Sequence, residues 1–375
     1  MKDLLRFCEA RRDWLVETIT QLARHESPST DKTALDRCAD LLATLCVEAG
    51  GRVTRLPRER AGDHLLVEFG CGERQLLVLG HYDTVWPVGQ LERMPIALRD
   101  GRLSGPGVYD MKAGLAVGLL ALHALQDRGR GTSLRIAFLI TSDEEVGSLE
   151  SRAVIEDEAR RSDAVFVLEP ALADGRVKTG RKGVGVYELT VAGVSAHAGG
   201  DPGKGASAIH ELARQILVVT ALQDLSRGVS VNVGCIEGGT RSNVVAERAW
   251  AEVDVRVPTL EDAARVETLM RSLAPTDPRI GLRVTGGINR PPFERTPGVA
   301  RLFEVARTLA GEIGLALGEG STGGASDGNF TGALGVPTLD GLGAVGDGAH
   351  ALHEYVVVDE LPARAALLAG LLLRV

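Results

Sequence analysis

The sequence predicts an α/β protein in which helices flank a mixed, mostly parallel sheet, with a smaller α/β domain inserted into the chain. Three observations predict it. Short apolar runs alternate with helix-period segments in the first half of the chain, which is the rhythm of β–α–β units. After residue 180 the order of elements changes to β–α–β–β–α–β, and from residue 298 the helical pattern resumes. A chain of 375 residues is also longer than one core usually supports.

The first part of the chain supplies the helices and the buried strands of the main sheet. Apolar residues recur at helix spacing in segments 4–23 and 34–49, and the second segment ends at two glycines. Continuous apolar runs of the kind found in buried central strands follow at 75–80, 134–140 and 164–168. An Ala- and Leu-rich helix is predicted at 112–125, between the first two of these strands.

The second part of the chain has the pattern of a ferredoxin-like, split β–α–β unit. Its predicted strands are 184–191, 229–236, 248–257 and 280–285, and its predicted helices are 206–222 and 260–273. After this unit come a helical segment from 298, a glycine-rich stretch from 318 to 348, and a last helix at 361–373. We therefore expect a main domain formed by residues 1–180 and 291–375, and an inserted domain formed by residues 181–290.

Composition and charge exclude several classes of protein. The net charge of −8 argues against a dedicated nucleic-acid or anionic-membrane surface, and no apolar run approaches the roughly 20 residues that span a bilayer. The N-terminus has no signal-peptide core. The five cysteines are scattered and form no C-x-x-C pair, which is typical of buried thiols in a reducing compartment. We expect a cytoplasmic protein with no nucleic-acid or membrane partner.

Metal-ligating residue types follow several predicted strands. Adjacent carboxylates, Glu144 and Glu145, come directly after the strand at 134–140. Four other segments carry further candidates at strand ends, helix starts or loops: His81, Asp83, Asp110, Glu169, His350 and His353. Because ligands bind at the carboxyl edge of an open parallel sheet, these side chains are expected to meet there. Imidazoles with a bridging carboxylate suit a dinuclear zinc or cobalt centre.

Each of these residues also has an ordinary structural interpretation. Asp83 and Asp110 could cap a turn or a helix, Glu144, Glu145 and Glu169 could be solvated loop acids, and either histidine of the 350–353 segment could be a solvated side chain. The combination favours the metal site, because coincidence at five separate segments is improbable. A non-catalytic binding protein with this fold is disfavoured because no expected ligand is missing. A phosphate-processing enzyme is disfavoured because no phosphate-binding glycine loop is present.

The motifs together resemble the co-catalytic zinc aminoacylase and glutamate carboxypeptidase family. The resemblance covers nearly the whole chain in the family's order. It is carried by Gly80-His-Tyr-Asp-Thr-Val-Trp86, Gly105-Pro-Gly-Val-Tyr-Asp-Met-Lys-Ala-Gly114, Thr141-Ser-Asp-Glu-Glu-Val-Gly-Ser148, Leu168-Glu-Pro170, Gly193-Val-Ser-Ala-His-Ala-Gly199 and the loop that contains His350. The resemblance implies a zinc-exopeptidase-like catalytic domain with an inserted β–α–β–β–α–β dimerisation or lid domain.

The resemblance also implies roles for the site residues. Asp110 would bridge two zinc ions, for which cobalt or manganese could substitute. Glu145 and His350 would complete one site, and His81 and Glu169 would complete the other. Asp83 would hold the His81 imidazole in one tautomer, and Glu144 would be the general base and acid. His350 is preferred to His353 because Glu354 lies four residues after it, which matches the family's His-x-x-x-Glu.

The inserted domain contributes further candidates through the same resemblance. His197 would stabilise the developing oxyanion in the partner subunit's site of a homodimer, and Asn243 would act with it. Arg256, Arg290 and the backbone around Gly324 match positions that hold a substrate carboxylate, for which a guanidinium is well suited. From the residues alone, either arginine could instead form a surface or interdomain ion pair. The chain departs from the family's Gly-Gly-Thr-Asp at Ala325-Ser326.

The expected function is a dinuclear-zinc hydrolase that cleaves an amide bond next to a free carboxylate. A glutamate-carboxypeptidase-like metallopeptidase would release a C-terminal amino acid from a peptidyl or N-acyl group. The alternative within the family is an N-acyl-amino-acid amidohydrolase, or deacetylase. In both reactions Glu144 would take a proton from the attacking water and return it to the leaving amine.

Overall fold

The computed structural model describes residues 1–127 and 134–375. These residues form two compact units. The first unit comprises Met1–Gly180, Arg295–Thr322 and Ser326–Val375, and the second comprises Arg181–Glu294 and Gly323–Ala325. The long segment of the second unit thus ends at Glu294, where the sequence places a boundary at residue 290. The assignment of a catalytic role to the first unit and a dimerisation role to the second stays a prediction.

Most helices correspond to segments with helix-period apolar spacing. The helices are α1 Lys2–Glu9, α2 Arg12–Arg24, α3 Lys32–Glu48, α4 Gln90–Arg93, α5 Ala113–Asp127, α6 Arg152–Arg160, α7 Ala208–Thr220, α8 Leu260–Ser272, α9 Pro297–Gly311, α10 Gly328–Ala333 and α11 Leu361–Arg374.

The predicted strands are all present with the predicted length or slightly longer, and further short strands join them. The strands are β1 Arg52–Leu56, β2 His64–Phe69, β3 Arg74–His81, β4 Ala97–Arg99, β5 Arg102–Ser104, β6 Leu134–Thr141, β7 Ser162–Val167, β8 Val177–Arg181, β9 Gly183–Ala192, β10 Ser230–Gly238, β11 Arg248–Val257, β12 Gly281–Arg290, β13 Glu319–Thr322, β14 Thr338–Leu339, β15 Gly346–Asp347 and β16 Tyr355–Val357.

The main sheet of the first unit is mixed and mostly parallel, which confirms the predicted fold class. Its order is β1-β2-β6-β3-β7-β14. The neighbours β6, β3, β7 and β14 run parallel, and the β1–β2 pair joins them antiparallel. Strand β3 lies between β6 and β7, so the three strands end at the same edge of the sheet. This edge is where the predicted metal ligands emerge.

Helices cover both faces of this sheet. Leu76 and Val78 of β3 pack into a large core with α1, α2, α3, α5, α9 and α11. Leu77 and Leu79, which point to the opposite face, pack with α6 and α10. Both sides of the strand are therefore buried, which explains its uninterrupted apolar sequence and its rigid position. Each fully buried leucine of this kind contributes about 1.5–3 kcal/mol relative to an exposed one.

The second unit has the predicted β–α–β–β–α–β order. Its sheet has the strand order β10-β11-β9-β12, and all its pairs are antiparallel. One face of the sheet packs on α7 and α8 around its own apolar core. Strand β9 alternates buried and less buried residues along its length, as expected for a sheet that is covered by helices on one face. Strand β10 forms one edge of this sheet.

Three features differ from the sequence-based predictions. The helix expected over residues 4–23 is two helices, α1 and α2, because the helical conformation is interrupted at Ala10–Arg11. The β1–β2 pair and the small antiparallel sheet β15-β16-β5-β4 were not predicted, since their strands are short or partly exposed. The helical segment Val108–Asp127 is long and apolar enough to cross a membrane, but 89% of its apolar stretch is buried. Packing in the core accounts for that composition.

Candidate metal centre

Three adjacent parallel strands deliver carboxylates and an imidazole to one edge of the main sheet. His81 is the last residue of β3 and lies opposite Thr141 at the end of β6. Glu144 and Glu145 form a turn just after β6, and Glu169 follows β7 by two residues. Because these strands are hydrogen-bonded neighbours, the side chains after them are held close together by the sheet itself.

Five side chains form two groups that share one residue. The first group is His81, Asp110 and Glu169, and the second is Asp110, Glu145 and His350; within each group the possible ligand atoms lie within 4.8 Å of one another. His81 Nε2 is 3.4 Å from Asp110 Oδ1 and 3.5 Å from Glu169 Oε1.

The two oxygens of Asp110 face different groups. Oδ1 lies toward His81, whereas Oδ2 lies 3.4 Å from His350 Nε2. His350 Nε2 is also 3.1 Å from Glu145 Oε2. A carboxylate that presents one oxygen to each of two ligand groups has the arrangement that bridges two metal ions. His350 therefore lies in the cluster, and the structure records no such contact for the exposed His353.

The donor set fits a divalent metal. Three carboxylates and two imidazoles are the ligand types that zinc and related ions accept. Within residues 1–127 and 134–375, two atoms that face each other, His81 Nε2 and Asp110 Oδ1, are buried without a hydrogen-bond partner. Buried polar atoms are rarely left unsatisfied, so an unpaired imidazole nitrogen beside an unpaired carboxylate oxygen is the environment that a cation would complete.

The charges in this cluster act strongly on one another. Burial alone would lower the pKa of His81, but the carboxylates of Asp110, Asp83 and Glu169 outweigh it and raise that pKa well above its ordinary value. Asp110 and Glu145 raise the pKa of His350 to about 10. Burial raises the pKa of Glu145. The pocket thus attracts positive charge, and a metal would enter by displacing protons from the imidazoles.

The Asp83 carboxylate contacts two parts of the candidate site, the His81 ring and the Glu144–Glu145 turn. It is fully buried, and Oδ1 lies 3.3 Å from His81 Nδ1. The same carboxylate accepts the backbone N–H groups of Glu144 and Glu145 at 3.2 and 3.1 Å. The sequence predicts the contact with His81, which directs Nε2 toward Asp110. The structure adds that Asp83 also fixes the Glu144–Glu145 turn.

Comparisons with known proteins agree with this geometry. Residues 77–374 match the model of peptidase family M20/M25/M40. The chain belongs to this family. It is 30% identical over 367 residues to carboxypeptidase G2 of Pseudomonas sp. (strain RS-16), covering 96% of this chain and 88% of that protein. It is 30% identical over 313 residues to succinyl-diaminopimelate desuccinylase of Paracidovorax citrulli, covering 78% of each.

The fold comparison gives the same result. Aminopeptidase PepT from Bacillus cereus superimposes with a TM-score of 0.78 at 23% identity, covering 96% of this chain and 98% of that one. The family predicted from the sequence motifs is confirmed. This M20 peptidase is therefore a hydrolase of the metallopeptidase and amidohydrolase class. Members of this family depend on metal, and the two ligand groups around Asp110 are where this chain would hold it.

Two residues that support the M20 site were not found from the sequence. Ser29 donates its hydroxyl to Asp83 Oδ2 at 2.7 Å. Asp327 accepts a hydrogen bond from Thr141 at 3.2 Å and another from Ser148. These two residues lie on either side of Glu144 and Glu145, so the two bonds hold both ends of that turn. These contacts join residues 54 or more positions apart. No local pattern signals them, although Asp327 lies in the stretch 323–329 that the family motif singles out.

The remaining candidates of the M20 peptidase lie in its second unit. His197 and Asn243 are exposed, and their segments are joined by an Ala198 N–H to Asn243 O hydrogen bond of 2.9 Å. His197 Nδ1 accepts the N–H groups of Gly199 and Gly200 at 3.1 and 2.9 Å. Since Nδ1 is an acceptor, the neutral ring carries its proton on Nε2. His197 therefore presents an N–H donor away from its own loop.

The three candidates for holding a substrate carboxylate differ in their surroundings. Arg256 donates Nε–H and Nη2–H to Asp254 at 2.8 Å each, so one edge of its guanidinium is already occupied. Arg290 is buried, and Gly324 is exposed with its carbonyl accepting from Arg181 at 3.1 Å. An Asp two positions before Arg256 on the same strand face is the sequence signal that could have predicted the ion pair.

Proposed function

We propose that this M20 hydrolase cleaves an amide bond next to a free carboxylate, as a glutamate-carboxypeptidase-like metallopeptidase that releases a C-terminal amino acid. The observation that carries the proposal is the shared Asp110, with one oxygen facing each of two ligand groups. The similarity to carboxypeptidase G2 over 96% of the chain supports the substrate class.

The proposed cofactor is two zinc ions per chain, with cobalt or manganese as substitutes. His81, Asp110 and Glu169 would hold one ion, and Asp110, Glu145 and His350 the other. When bound, such ions supply Lewis acidity to a carbonyl group and make a water molecule a stronger acid. The buried unpaired atoms on His81 and Asp110 support this occupancy.

Glu144 is the proposed proton carrier. Its neighbour Glu145 belongs to a ligand group, while the Asp83 carboxylate holds the backbone N–H groups of both residues. Successive residues in a turn point in different directions, so Glu144 can serve water while Glu145 serves the metal. Glu144 would take the proton of the attacking water and then give it to the leaving amine.

His197 is the proposed oxyanion donor, and it would act across a homodimer. Its Nε2–H, left free for donation by the two N–H groups that Nδ1 accepts, would hydrogen-bond to the carbonyl oxygen as negative charge develops. Strand β10 is a sheet edge and carries the exposed Ile236, while α7 exposes Ile209 and Leu217. An unpaired edge beside apolar side chains favours association with a second copy of the chain.

Arg290, Arg256 and the backbone at Gly324 are the proposed contacts for the substrate carboxylate. Asp254 occupies the Nε–Nη2 edge of the Arg256 guanidinium, so a substrate carboxylate would bind Arg256 through Nη1 or replace Asp254.

We also propose that the enzyme works in the cytoplasm. Its five cysteines are free thiols, which supports this proposal: Cys8, Cys38 and Cys46 are buried, and Cys71 and Cys235 are exposed.

A second candidate function is removal of an acyl group from an N-acyl amino acid. The similarity to succinyl-diaminopimelate desuccinylase over 78% of the chain favours it specifically. Both reactions use the same metal centre and the same proton carrier. They differ in which part of the substrate the enzyme recognises: the amino acid in the first reaction, and the acyl group in the second.

A substrate panel tests the proposal. Purified protein, reconstituted with Zn²⁺ or Co²⁺, is assayed on N-benzoyl-glutamate, N-acetyl amino acids and N-succinyl amino acids, and bound metal is counted by elemental analysis. We expect two metal ions per chain and the highest kcat/KM for the benzoyl-glutamate type. A preference for N-acetyl or N-succinyl compounds would establish the second candidate. Absence of bound metal after reconstitution would refute both.

A further inference from the structure

Glu354 is a buried carboxylate that the proposed chemistry does not use. Its side chain is fully inaccessible to solvent, and it forms no ion pair within the described parts of the chain. Burial raises its pKa, although its hydrogen bonds oppose this. A carboxylate taken out of water at this cost is normally retained for the groups that it binds.

All four hydrogen bonds to Glu354 come from N–H groups of two distant loops. Oε1 accepts the backbone N–H of Tyr109 at 2.8 Å and that of Asp110 at 3.1 Å. Oε2 accepts the backbone N–H of Gly107 at 2.9 Å and the indole Nε1–H of Trp86 at 2.9 Å. The donors are separated from Glu354 by more than 240 positions in the chain. The carboxylate therefore accepts the backbone N–H groups that carbonyl oxygens would accept in a regular helix or strand.

The turn that Glu354 holds is irregular. Asp110 has φ −113° and ψ 96°, outside the helical region, although helix α5 begins only three residues later. Gly107 has φ +71°, a conformation that favours glycine. Without the carboxylate, the N–H groups of residues 107, 109 and 110 would lose their acceptor, and the backbone that carries the Asp110 side chain would be less firmly held.

Glu354 also lies in the same short segment as His350. The Glu354 N–H donates to Ala351 O at 3.0 Å, and the next residues enter β16, which pairs with β5 just before the Asp110 loop. His350 itself has φ +60°, which is uncommon for a residue with a side chain and persists only where the surroundings impose it. One side chain thus connects the loop of Asp110 to the segment of His350.

We propose that Glu354 is a positioning residue that sets the separation between Asp110 and His350, and so determines the affinity of the Asp110–Glu145–His350 group for its metal. This inference rests on the proposed metal centre. Glu354 contacts neither metal nor substrate in this scheme. It acts by fixing the backbone of one ligand and the turn that carries another.

The test is metal titration of Glu354→Gln. An amide has one acceptor oxygen, so its NH₂ group would face two of the four N–H donors and the loop would shift. We expect the variant to bind the second Co²⁺ about 10- to 100-fold more weakly, the range typical for partners of metal ligands. Because Asp110 belongs to both groups, the first Co²⁺ should also bind more weakly, but by a smaller factor. The absorption spectrum of the fully cobalt-loaded protein should also change.

Two further variants separate positioning from a general loss of stability. Glu211 is a matched control, since it is a buried carboxylate in the second unit that accepts hydrogen bonds from Thr276 and Gln215. Glu211→Gln should lower the melting temperature without altering the cobalt titration. Trp86→Phe removes a single donor to Glu354 and should weaken the second Co²⁺ a few-fold, which keeps the test open if Glu354→Gln does not fold.

The outcomes are distinct. If wild type binds two Co²⁺ ions and neither Glu354→Gln nor Trp86→Phe alters the second affinity or the spectrum, the positioning role is refuted and the metal centre stands. If Glu211→Gln weakens the second ion equally, the effect is one of stability and the positioning role is likewise refuted. If wild type binds no Co²⁺, the proposed function fails and the inference fails with it.

Discussion

His81 in the first unit and His197 in the second unit meet their surroundings in opposite ways. His81 is 2% exposed, and carboxylates approach both of its ring nitrogens. His197 is exposed, and two backbone N–H groups donate to its Nδ1. The first environment suits a ring that binds a cation, while the second suits a ring that donates an N–H. The comparison teaches that contacts at Nδ1 and Nε2 decide which of the two proposed roles, metal binding or oxyanion binding, a histidine can perform.

The two regions also differ in how rigidly they are held. In the first unit the proposed ligands His81, Glu145 and Glu169 lie at or just after the ends of neighbouring parallel strands, and the buried Asp83 contacts His81 and the Glu144–Glu145 turn. In the second unit His197 and Asn243 lie in exposed segments, and Arg256 is paired with Asp254. Metal ligation requires fixed donors, whereas recognition of a substrate tolerates groups that move into place when it binds.

The largest expected effect comes from Glu144→Gln. This change keeps the size of the side chain but removes its ability to carry a proton, so kcat should fall by about 10²- to 10⁴-fold. Metal content should stay at the wild-type value, because Glu145, and not Glu144, is the proposed ligand. The measurements are steady-state kinetics and elemental analysis, with the exposed Glu48→Gln as control. Activity near the wild-type level would remove Glu144 from its proposed role.

The next effect tests the second unit directly. His197→Ala should lower kcat by about 10²- to 10³-fold, as loss of one oxyanion donor does, and leave bound metal unchanged. Mixing this variant with Glu144→Gln under subunit exchange should restore part of the activity, since some mixed dimers would contain one intact site. If no activity returns although mixed dimers form, the site is not shared between subunits.

A third prediction uses two histidines in one loop. His350→Ala should weaken binding of one metal ion by roughly 10²-fold or more, because it removes a proposed direct ligand. His353→Ala, three residues along and exposed, should titrate like the wild type. Calorimetric titration with Zn²⁺ measures both. Equal losses in the two variants, or a loss only in His353→Ala, would contradict the assignment of His350.

The smallest effect is expected at the support of Asp83. Ser29→Ala removes one neutral donor to that carboxylate, worth about 1 kcal/mol, so kcat should fall about fivefold with KM unchanged. The control is Ser272→Ala, an exposed serine whose hydroxyl caps a helix carbonyl. A drop as large as that of Glu144→Gln would mean that Ser29 contacts the reacting groups themselves.

The sequence predicts those parts of the molecule whose signals are local or periodic. The apolar run of β3 and the β–α–β–β–α–β order come from burial patterns that repeat along the chain, and the structure has both. The five residues of the two groups that share Asp110 are also predictable, since strand ends and family motifs mark them. Their separations and the sharing of Asp110 between two groups required coordinates.

What the sequence did not predict depends on contacts between distant residues or on competition between nearby ones. Ser29 reaches Asp83, and Glu354 reaches Asp110, across 54 and 244 positions. No periodicity links such positions. The break between α1 and α2 and the ion pair of Arg256 are local, but several structures compete there, and tertiary packing decides among them.

Because the two oxygens of Asp110 face different groups, two ions held in the proposed centre would not bind independently. An ion in one group would draw electron density from the shared carboxylate and fix its rotamer, so it would change the affinity of the other group. By thermodynamic reciprocity, the second ion would change the affinity for the first by the same factor. The proposed centre would then respond to metal supply more steeply or less steeply than two separate sites.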